Sequence, residues 1–234
     1  KGRVDAQRGK LWSKLSKAII IAAKSGGGDP SANLKLRKAI DDAKAVSMPK
    51  DNIQRAIKRG TGELAGGDLE EIVYEGYGPG GTAVLVKTLT DNKNRTVAEV
   101  RHAFTKFGGT LGTNGSVAYL FEQTGIISFP AGSDEERIME VALDAGAHDI
   151  VTNEDGSIDT MTTLETFGAV QDALTAAGLE AASAEMTMLA STEADLDLSS
   201  AETLLKLIDL MEELDDVQNV YHNANISDEV AAQL

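Results

Sequence analysis

Four lysines spaced along one predicted helix are the residues with the clearest chemical potential in this chain. Lys10, Lys14, Lys17 and Lys24 fall on a single helical face, and apolar residues at helical spacing occupy the opposite face. A row of ammonium groups suits the binding of phosphates rather than bond making, because each lysine presents a compact positive charge. The pattern therefore predicts a phosphate-binding stripe.

The charge of the chain is divided unevenly between its two ends. The first sixty residues hold fifteen Lys or Arg against five Asp, a net charge of +10, whereas the remainder carries 7 basic and 32 acidic residues, a net charge of −25. Such a local excess of positive charge is typical of a surface that meets nucleic acid, and binding through it should depend steeply on salt. The alternative is that the basic part docks on the acidic part of the same chain.

Further cations join the lysine stripe as candidate phosphate ligands. They lie on two more predicted helices of the basic segment and in a second patch further along the chain. The predicted nucleic-acid-binding residues are Lys10, Lys14, Lys17, Lys24, Arg37, Lys38, Lys50, Arg55, Lys58, Arg59, Lys93, Arg95 and Arg101.

The second patch surrounds a polar loop, residues 90–96, that leads into a helix. Free backbone amides at that helix start, together with Lys93 and Arg95, could bind a phosphate. A helix start capped by Asp91 or Asn92 explains the same residues equally well. The sequence leaves both alternatives open.

Residue types and spacing argue against catalysis. The chain has no cysteine, and its three histidines, His102, His148 and His222, are scattered without metal-ligand spacing. Neither a nucleophile elbow nor a phosphate-binding loop motif is present. We therefore expect no enzyme, no cofactor, no metal and no small-molecule substrate. Without a membrane-length apolar stretch or a secretory signal, we expect no membrane partner and a cytoplasmic location.

The hydrophobic periodicity predicts an α+β protein of three domains. Three helices form a basic N-terminal bundle over residues 1–65, the second starting at Asp29-Pro30-Ser31. A hairpin, a helix from about Asn94 and a strand over Ser116–Phe121 follow in the middle domain. Residues 124–198 read as an acidic βαββαβ unit of the ferredoxin-like kind.

A last helix and strand follow the βαββαβ unit and need a sheet to join. We therefore predict that the chain returns to the middle domain, which would be discontinuous over residues 66–123 and 199–234, with the ferredoxin-like domain inserted into it. No helix-turn-helix spacing and no aromatic RNA-recognition motif is present, so base-specific readout is not predicted.

Several motifs in order along the chain resemble those of one family. They are Gly26-Gly27-Gly28-Asp29-Pro30, Met48-Pro49-Lys50-Asp51-Asn52-Ile53, Arg55-Ala56-Ile57-Lys58-Arg59-Gly60-Thr61-Gly62, Tyr74-Glu75-Gly76-Tyr77-Gly78-Pro79-Gly80-Gly81, Thr90-Asp91-Asn92-Lys93-Asn94-Arg95-Thr96, Glu99-Val100-Arg101-His102 and Gly115-Ser116-Val117-Ala118-Tyr119-Leu120-Phe121. The chain is similar to the YebC/PmpR family across essentially its whole length, most specifically through residue 121. The resemblance implies the same three domains.

The resemblance also implies a function in gene expression. Bacterial members are described as transcriptional regulators that bind promoter DNA, whereas a second description makes members ribosome-associated translation factors that relieve stalling. Mitochondrial relatives activate translation of a cytochrome oxidase subunit. Members begin with a further basic stretch containing a His-Ser-Lys-Trp motif, so we expect part of the basic surface to precede Lys1.

The expectation is thus a non-enzymatic nucleic-acid-binding regulator whose partner is promoter DNA or ribosomal RNA. An alternative of a different class is a protein-interaction adaptor whose acidic ferredoxin-like domain docks on a basic partner.

Overall fold

A basic helical bundle begins the chain. The computed structural model describes residues 2–234. The bundle comprises α1 (Gly2–Gly26), α2 (Leu34–Ala45) and α3 (Lys50–Thr61). Its core is built from one apolar stripe of each helix, represented by Ile19, Leu36 and Ile53. The sequence predicted this bundle, although α2 begins later than expected.

The later start of α2 has a local cause. Asp29 uses its carboxylate to accept from the backbone N–H of Ser31 at 3.0 Å, which makes a turn rather than a helix start. Asn33 then caps α2 by accepting from the amide of Leu36, and its own side-chain amide donates to the carbonyls of Ala22 and Gly27. The buried Asn33 thus joins the end of α1 to the start of α2.

A four-stranded antiparallel sheet forms the middle domain. The chain continues through β1 (Glu70–Tyr77), β2 (Ala83–Thr90), α4 (Lys93–Lys106) and the short β3 (Thr110–Leu111). It then enters the second compact unit, residues 119–192, through β4 (Phe121–Phe129), α5 (Glu135–Ala145), β5 (Asp149–Thr152), β6 (Ile158–Thr162), α6 (Leu164–Ala176) and β7 (Ser183–Ala190). The remaining elements are β8 (Ala194–Asp195), α7 (Leu198–Glu213), β9 (Val217–His222), β10 (Ala224–Asn225) and α8 (Asp228–Ala231).

The return of the chain to the middle domain is visible in the strand order. The strand order of the first sheet is β3-β1-β2-β9. The C-terminal strand β9 thus pairs with β2, although the whole second unit lies between them in the sequence. Helices α4 and α7 supply the core on one face, where Phe104 and Leu204 are fully buried against Val84 and Val86. The three-domain α+β description with a discontinuous middle domain is confirmed.

The second unit is a complete ferredoxin-like fold. Its strand order is β5-β6-β4-β7 with every pair antiparallel, as βαββαβ topology requires. Helices α5 and α6 contribute Ile138, Val170 and Leu174 to a core completed by Ile127 and Phe129 of β4. Because successive strand residues point to opposite faces, the other face of the sheet carries the alternate residues.

The predicted strand over Ser116–Phe121 is wrong. A bend and one 3₁₀ turn, Ala118–Leu120, occupy those positions, and β4 starts only at Phe121. The carboxylate of Glu75 accepts from the backbone amides of Gly115, Val117 and Ala118 at 2.8, 3.0 and 2.6 Å. Amides that donate to a side chain are not available to a strand ladder, which explains the difference.

The structure also contains short elements that periodicity did not predict. They are β3, the parallel pair β8 and β10, and α8, none longer than four residues. None of the helices within residues 2–234 is long and apolar enough to cross a membrane.

Candidate nucleic-acid interface

Helix α3 presents a cluster of exposed cations. Arg55, Lys58 and Arg59 are exposed, while Ile53 and Ala56 on the other side are buried in the bundle core. The guanidinium of Arg55 donates to Asn52 Oδ1 at 2.6 Å, a neutral partner that leaves its charge uncompensated. The three side chains follow one another within a single turn, so their charges are directed to one side. We call Arg55, Lys58 and Arg59 the α3 cation face.

The first turn of α3 carries one further cation and one acid. Lys50, in the first turn of α3, is exposed, and the described residues show no ion pair to it. Asp51 is also exposed in that turn, where its charge suits the helix N-terminus. The helix ends at Gly62, whose φ of 87° places it in the left-handed region that favours glycine.

Three lysines of the α1 stripe are bound by the chain itself. Lys10 Nζ donates to the backbone carbonyl of Glu213 at 2.5 Å, and Lys17 Nζ donates to the carbonyl of Asp215 at 3.0 Å. Lys14 Nζ donates to the carbonyl of Glu212. These carbonyls lie at the C-terminal end of α7 and in the turn after it, where the helix dipole favours cations. For these three lysines, docking on the acidic part of the chain is therefore observed.

Lys14 shows the electrostatic consequence of this contact. Its partial burial, followed by the proximity of Lys10, lowers the pKa of its ammonium group, although the nearby carboxylates of Glu212 and Asp215 oppose that shift. The lysines of α1 thus lie against the discontinuous middle domain, which we call the body, and the Lys14 ammonium group loses part of its hydration there.

A buried carboxylate, Asp216, connects α1, α4 and the start of β9. Its side chain is 2% exposed and receives Arg95 through two hydrogen bonds, Nε to Oδ2 at 3.0 Å and Nη2 to Oδ1 at 2.9 Å. The hydroxyl of Thr96 donates to Oδ2 at 2.8 Å, and Lys17 Nζ lies 3.5 Å from Oδ1. Burial on its own would raise the pKa of the Asp216 carboxyl, but the Arg95 and Thr96 hydrogen bonds and the two positive charges hold it below its ordinary value.

Arg95 is therefore committed to carboxylates rather than left open. Besides Asp216, it donates to Asp91 Oδ1 at 3.0 Å, and the hydrogen bonds to Asp216 lead the causes that raise its pKa further above its ordinary value. Between α1, α4 and the α7–β9 turn lies a cleft of about 550 Å³. Its lining mixes Lys10, Lys17 and Arg95 with several carboxylates, so it presents no uniform positive potential.

The start of α4 is capped. Asn92 accepts from the backbone N–H of Arg95 at 3.1 Å, so its side chain takes the amide that a phosphate would need. Lys93 Nζ lies 3.3 Å from a carboxylate oxygen of Glu70. Arg101 is exposed on the same helix. Of the two alternatives for this loop, the structure shows the cap.

The remaining predicted cations are dispersed. Lys24 Nζ donates to the carbonyls of Gly67 and Leu69 in the segment before β1, at 3.3 and 3.1 Å. On α2, Lys38 forms an ion pair with Asp42 one turn later, and Arg37 is exposed. The cations of α3 therefore lie close together and exposed, whereas Lys10, Lys14, Lys17 and Arg95 are bound by other residues of the chain.

Two carboxylates that organise this region were missed by the sequence reasoning. Glu75 lies in β1, inside one of the motifs that carry the family resemblance, but no role was assigned to it, and Asp216 lies in a turn outside those motifs. Both are almost fully buried, at 6% and 2% exposure. For Glu75, burial is opposed by three backbone hydrogen bonds, which lower the pKa of its carboxyl. The sequence signal at Glu75 is that this carboxylate interrupts the apolar and aromatic residues that begin at Ile72 in β1.

The histidines do not converge. His102 and His148 are exposed, and His222 is half-buried, where burial lowers its pKa and its Nδ1 accepts from the amide of Ala224 at 3.1 Å. Among residues 2–234, no group of three His, Asp or Glu side chains is arranged to hold a metal ion.

Two family models match this chain in tandem. A model described as the TACO1/YebC protein N-terminal domain covers residues 1–63, and one described as the TACO1/YebC second and third domain covers residues 69–224.

Similar proteins span the full length of the chain. A protein of Salmonella typhimurium named "Probable transcriptional regulatory protein YebC" is 58% identical over all 234 residues, which cover 95% of its length. A probable transcriptional regulatory protein of Idiomarina loihiensis is 57% identical over the whole chain and 94% of its own length. The crystal structure of a conserved hypothetical protein from Aquifex aeolicus superposes with a TM-score of 0.83 at 46% identity, covering 97% of this chain and 94% of that one.

Proposed function

The chain belongs to the TACO1/YebC family, and on that premise we propose that it regulates gene expression by binding the phosphate backbone of promoter DNA through the α3 cation face. Relatives more than half identical over the whole chain carry the name "Probable transcriptional regulatory protein", which supports a regulatory function. The observation that carries the proposal is the exposure of Arg55, Lys58 and Arg59 without a carboxylate partner among the described residues.

Several of the other predicted phosphate ligands already have hydrogen-bond partners in the protein, which makes them less available to a phosphate. Lys10, Lys14 and Lys17 donate to carbonyls at the end of α7, and Arg95 is held by Asp216, so a phosphate must compete for each of them. Within the described residues, the α3 cation face has only one such contact, the hydrogen bond from Arg55 to the neutral side chain of Asn52. We therefore assign the first phosphate contacts to α3, supported by the exposed Lys50.

Binding through phosphate contacts recognises the shape of the nucleic acid rather than its base sequence. Phosphate contacts position a protein on a duplex, whereas base-edge contacts specify the sequence. The α3 cation face has no aromatic side chain for stacking. The acidic ferredoxin-like unit, with fourteen carboxylates and one basic residue over positions 119–192, repels phosphate and restricts contact to the bundle.

The same observation favours a second candidate, a translation factor that binds structured RNA on the ribosome. A cation face without base-reading side chains fits folded RNA, which proteins recognise largely through shape and phosphates. The two candidates share the α3 cation face and differ in the nucleic acid that it meets.

The test compares a charge-neutral α3 face with a matched control. The triple variant Arg55→Gln, Lys58→Gln, Arg59→Gln removes three charges from α3, and Lys87→Gln, Lys106→Gln, Lys206→Gln removes three from the body. Binding to a labelled DNA duplex and to a structured RNA hairpin is measured by fluorescence anisotropy over a salt series. If α3 contributes three phosphate contacts to DNA, the slope of log K against log salt falls in magnitude by about 2.7.

Each outcome has a definite meaning. An equal loss in both triple variants would show a general charge effect and reject the α3 cation face. Weaker DNA binding together with a reduced salt slope in the α3 variant, and neither change in the control variant, supports the proposal. Sedimentation of the full-length protein through a sucrose gradient of cell lysate then separates the candidates, because salt-sensitive migration with ribosomes supports the RNA reading.

A further inference from the structure

The ferredoxin-like unit carries one sheet face that no helix of that unit covers. Helices α5 and α6 pack on the side of Ile127, Phe129 and Ile158. The strand residues between them point to the opposite side. There Val151 is 36% exposed and Leu189 is 39% exposed, fractions that are high for apolar side chains on a sheet. We call this second face the open face.

Strand register places a defined row of side chains across the open face. Asp149 pairs with Met161, Met161 with Ile126, and Ile126 with Glu185. Across all four strands, the row therefore has a carboxylate at each end, Asp149 and Glu185, and two apolar side chains, Met161 and Ile126, between them. With neighbouring strands about 4.8 Å apart, the two carboxylates stand roughly 14 Å from each other on either side of an apolar centre.

The next row adds a third carboxylate beside an exposed valine. Val151 pairs with Asp159, and Asp159 with Ser128. The Asp159 carboxylate accepts from the hydroxyl of Ser128 at 2.7 Å and from the side-chain amide of Asn153 at 3.1 Å. Both donors are neutral, so they fix the carboxylate in place without neutralising it.

No cation of this unit compensates these carboxylates. The unit has a single basic residue, Arg137, which lies on α5 and pairs with Glu140 at 3.8 Å. Asp149 and Glu185 are exposed, and the described residues show no ion pair to either. A flat face with an apolar centre and uncompensated negative ends is complementary to a ligand with an apolar centre and positive ends.

We propose that the open face is a docking surface for an extended basic protein segment in which an apolar residue stands midway between two Lys or Arg. An extended chain advances about 3.3 Å per residue, so basic residues four positions apart are roughly 13 Å apart and reach both ends of the row. The residue midway between them points to the same side and lies over Ile126 and Met161. Nucleic acid does not fit this face, because the carboxylates repel phosphate and the two rows offer no aromatic side chain for stacking.

The test uses the full chain and a synthetic peptide. The probe is a capped peptide with the core Lys-Ser-Leu-Ser-Lys, and its control has the same composition in the order Lys-Lys-Leu-Ser-Ser. The variant Asp149→Asn, Glu185→Gln removes the two end charges of the row. The matched variant Glu136→Gln, Asp144→Asn removes two exposed charges from α5.

Binding is followed by the chemical shifts of backbone amides and by isothermal titration. We expect the probe to perturb β4, β6 and β7, and to bind about tenfold more weakly to the Asp149/Glu185 variant but within about twofold of wild type to the Glu136/Asp144 variant. The reordered peptide should bind several-fold more weakly than the probe. Equal weakening in both variants, or equal affinity for both peptides, would show non-specific attraction to an acidic protein and overturn the proposal. Failure of the probe to bind overturns it as well.

This proposal is independent of nucleic-acid binding. The α3 cation face is unchanged in the Asp149/Glu185 variant, so binding to the DNA duplex should be retained there. A failure of the peptide test therefore leaves the proposed function standing, and the reverse is equally true.

Discussion

Arg95 and Asp216, which are 121 positions apart in the sequence, form a bidentate salt bridge, with Nη2–Oδ1 at 2.9 Å and Nε–Oδ2 at 3.0 Å. Arginine suits this role because its planar guanidinium matches both carboxylate oxygens at once. Lys17 of α1 approaches the same carboxylate at 3.5 Å. A single side chain in the α7–β9 turn thus links the basic bundle to the discontinuous domain.

Replacing Asp216 should destabilise the protein strongly. In Asp216→Asn, the carboxylate that holds Arg95 is lost, and a buried amide is left against cationic donors. We expect the free energy of unfolding to fall by about 2 kcal/mol, below the full cost of breaking a buried pair because Arg95 is 45% exposed. Urea unfolding at neutral pH measures the change.

The neighbouring residue is the control for that experiment. Asp215 is exposed and contributes its backbone carbonyl rather than its carboxylate to Lys17. Asp215→Asn should therefore change the free energy of unfolding by no more than about 0.5 kcal/mol. Similar losses in the two variants would mean that the net charge of the turn matters and that the Arg95 pair does not.

Acid should remove the contribution of Asp216. Its pKa is lower in the folded protein than the ordinary value of 3.8, so the folded state favours the ionised form. A group of this kind stabilises the fold at pH above 3.8, and that stabilisation disappears as the pH falls through the folded pKa. The stability difference between wild type and Asp216→Asn should thus be constant from pH 7 to about 5 and narrow below about 4, as urea midpoints would show. A gap that stayed constant down to pH 2 would contradict the depressed pKa.

Glu75 should be needed for the loop that replaces the predicted strand. In Glu75→Gln one oxygen acceptor becomes an NH₂ donor, which faces backbone N–H groups that also donate. We expect a loss of about 2 kcal/mol in the free energy of unfolding and faster hydrogen exchange at Val117 and Ala118. Glu71→Gln on the same strand is the control, because the Glu71 carboxylate is exposed and lies 3.5 Å from Lys87 only. Unchanged exchange at those amides in Glu75→Gln would show that the loop is held by other contacts.

Two glycines in the bundle should respond in opposite directions to alanine. A Cβ on Gly60 would lie 2.4 Å from the carbonyl oxygen of Ile20 and 2.7 Å from the Cβ of Ala23, where α3 crosses α1. Gly60→Ala should cost about 1–3 kcal/mol through this overlap. At Gly9, a Cβ would meet nothing within 4 Å, so Gly9→Ala should stabilise α1 by up to about 1 kcal/mol. Thermal unfolding distinguishes the pair, and a stabilised Gly60→Ala would show that the helices can separate to accommodate the methyl group.

The sequence predicted the fold better than the site. Helical and strand periodicities are local signals, and the apolar stripes around Ile19, Leu36 and Ile53 indicated the bundle directly. The return of β9 to β2 followed from counting elements that needed a sheet. What Asp216 or Glu75 would bind was not predictable, because their partners lie far away in the chain and a buried carboxylate has no characteristic spacing. For the same reason, the sequence left open that the basic part docks on the acidic part of the chain but did not indicate that the end of α7 would bind the lysines of α1.

That difference between α1 and α3 leads to a prediction about their separate roles in nucleic-acid binding. From the sequence alone, charge reversal at Lys14 and Lys17 should weaken binding and flatten the salt dependence. In the structure, Lys17→Glu would also place a second carboxylate beside Asp216, so a loss of binding after reversal could come from displacement of the bundle. Neutralisation is the better change, because Lys14→Gln and Lys17→Gln remove the positive charges without adding a carboxylate beside Asp216.

We expect neutralisation of Lys14 and Lys17 to lower the salt slope by less than neutralisation of Arg55 and Lys58. Cations already bound to carbonyls have exchanged part of their hydration for protein contacts and must break those contacts to reach a phosphate. Exposed cations reach a phosphate directly and displace the counterions of the nucleic acid. Anisotropy titrations of the DNA duplex with each double variant, over the same salt series, measure the two slopes. If the α1 variant shows the larger change, the α1 lysines leave the α7 end when nucleic acid binds, and the bundle moves against the body in the complex.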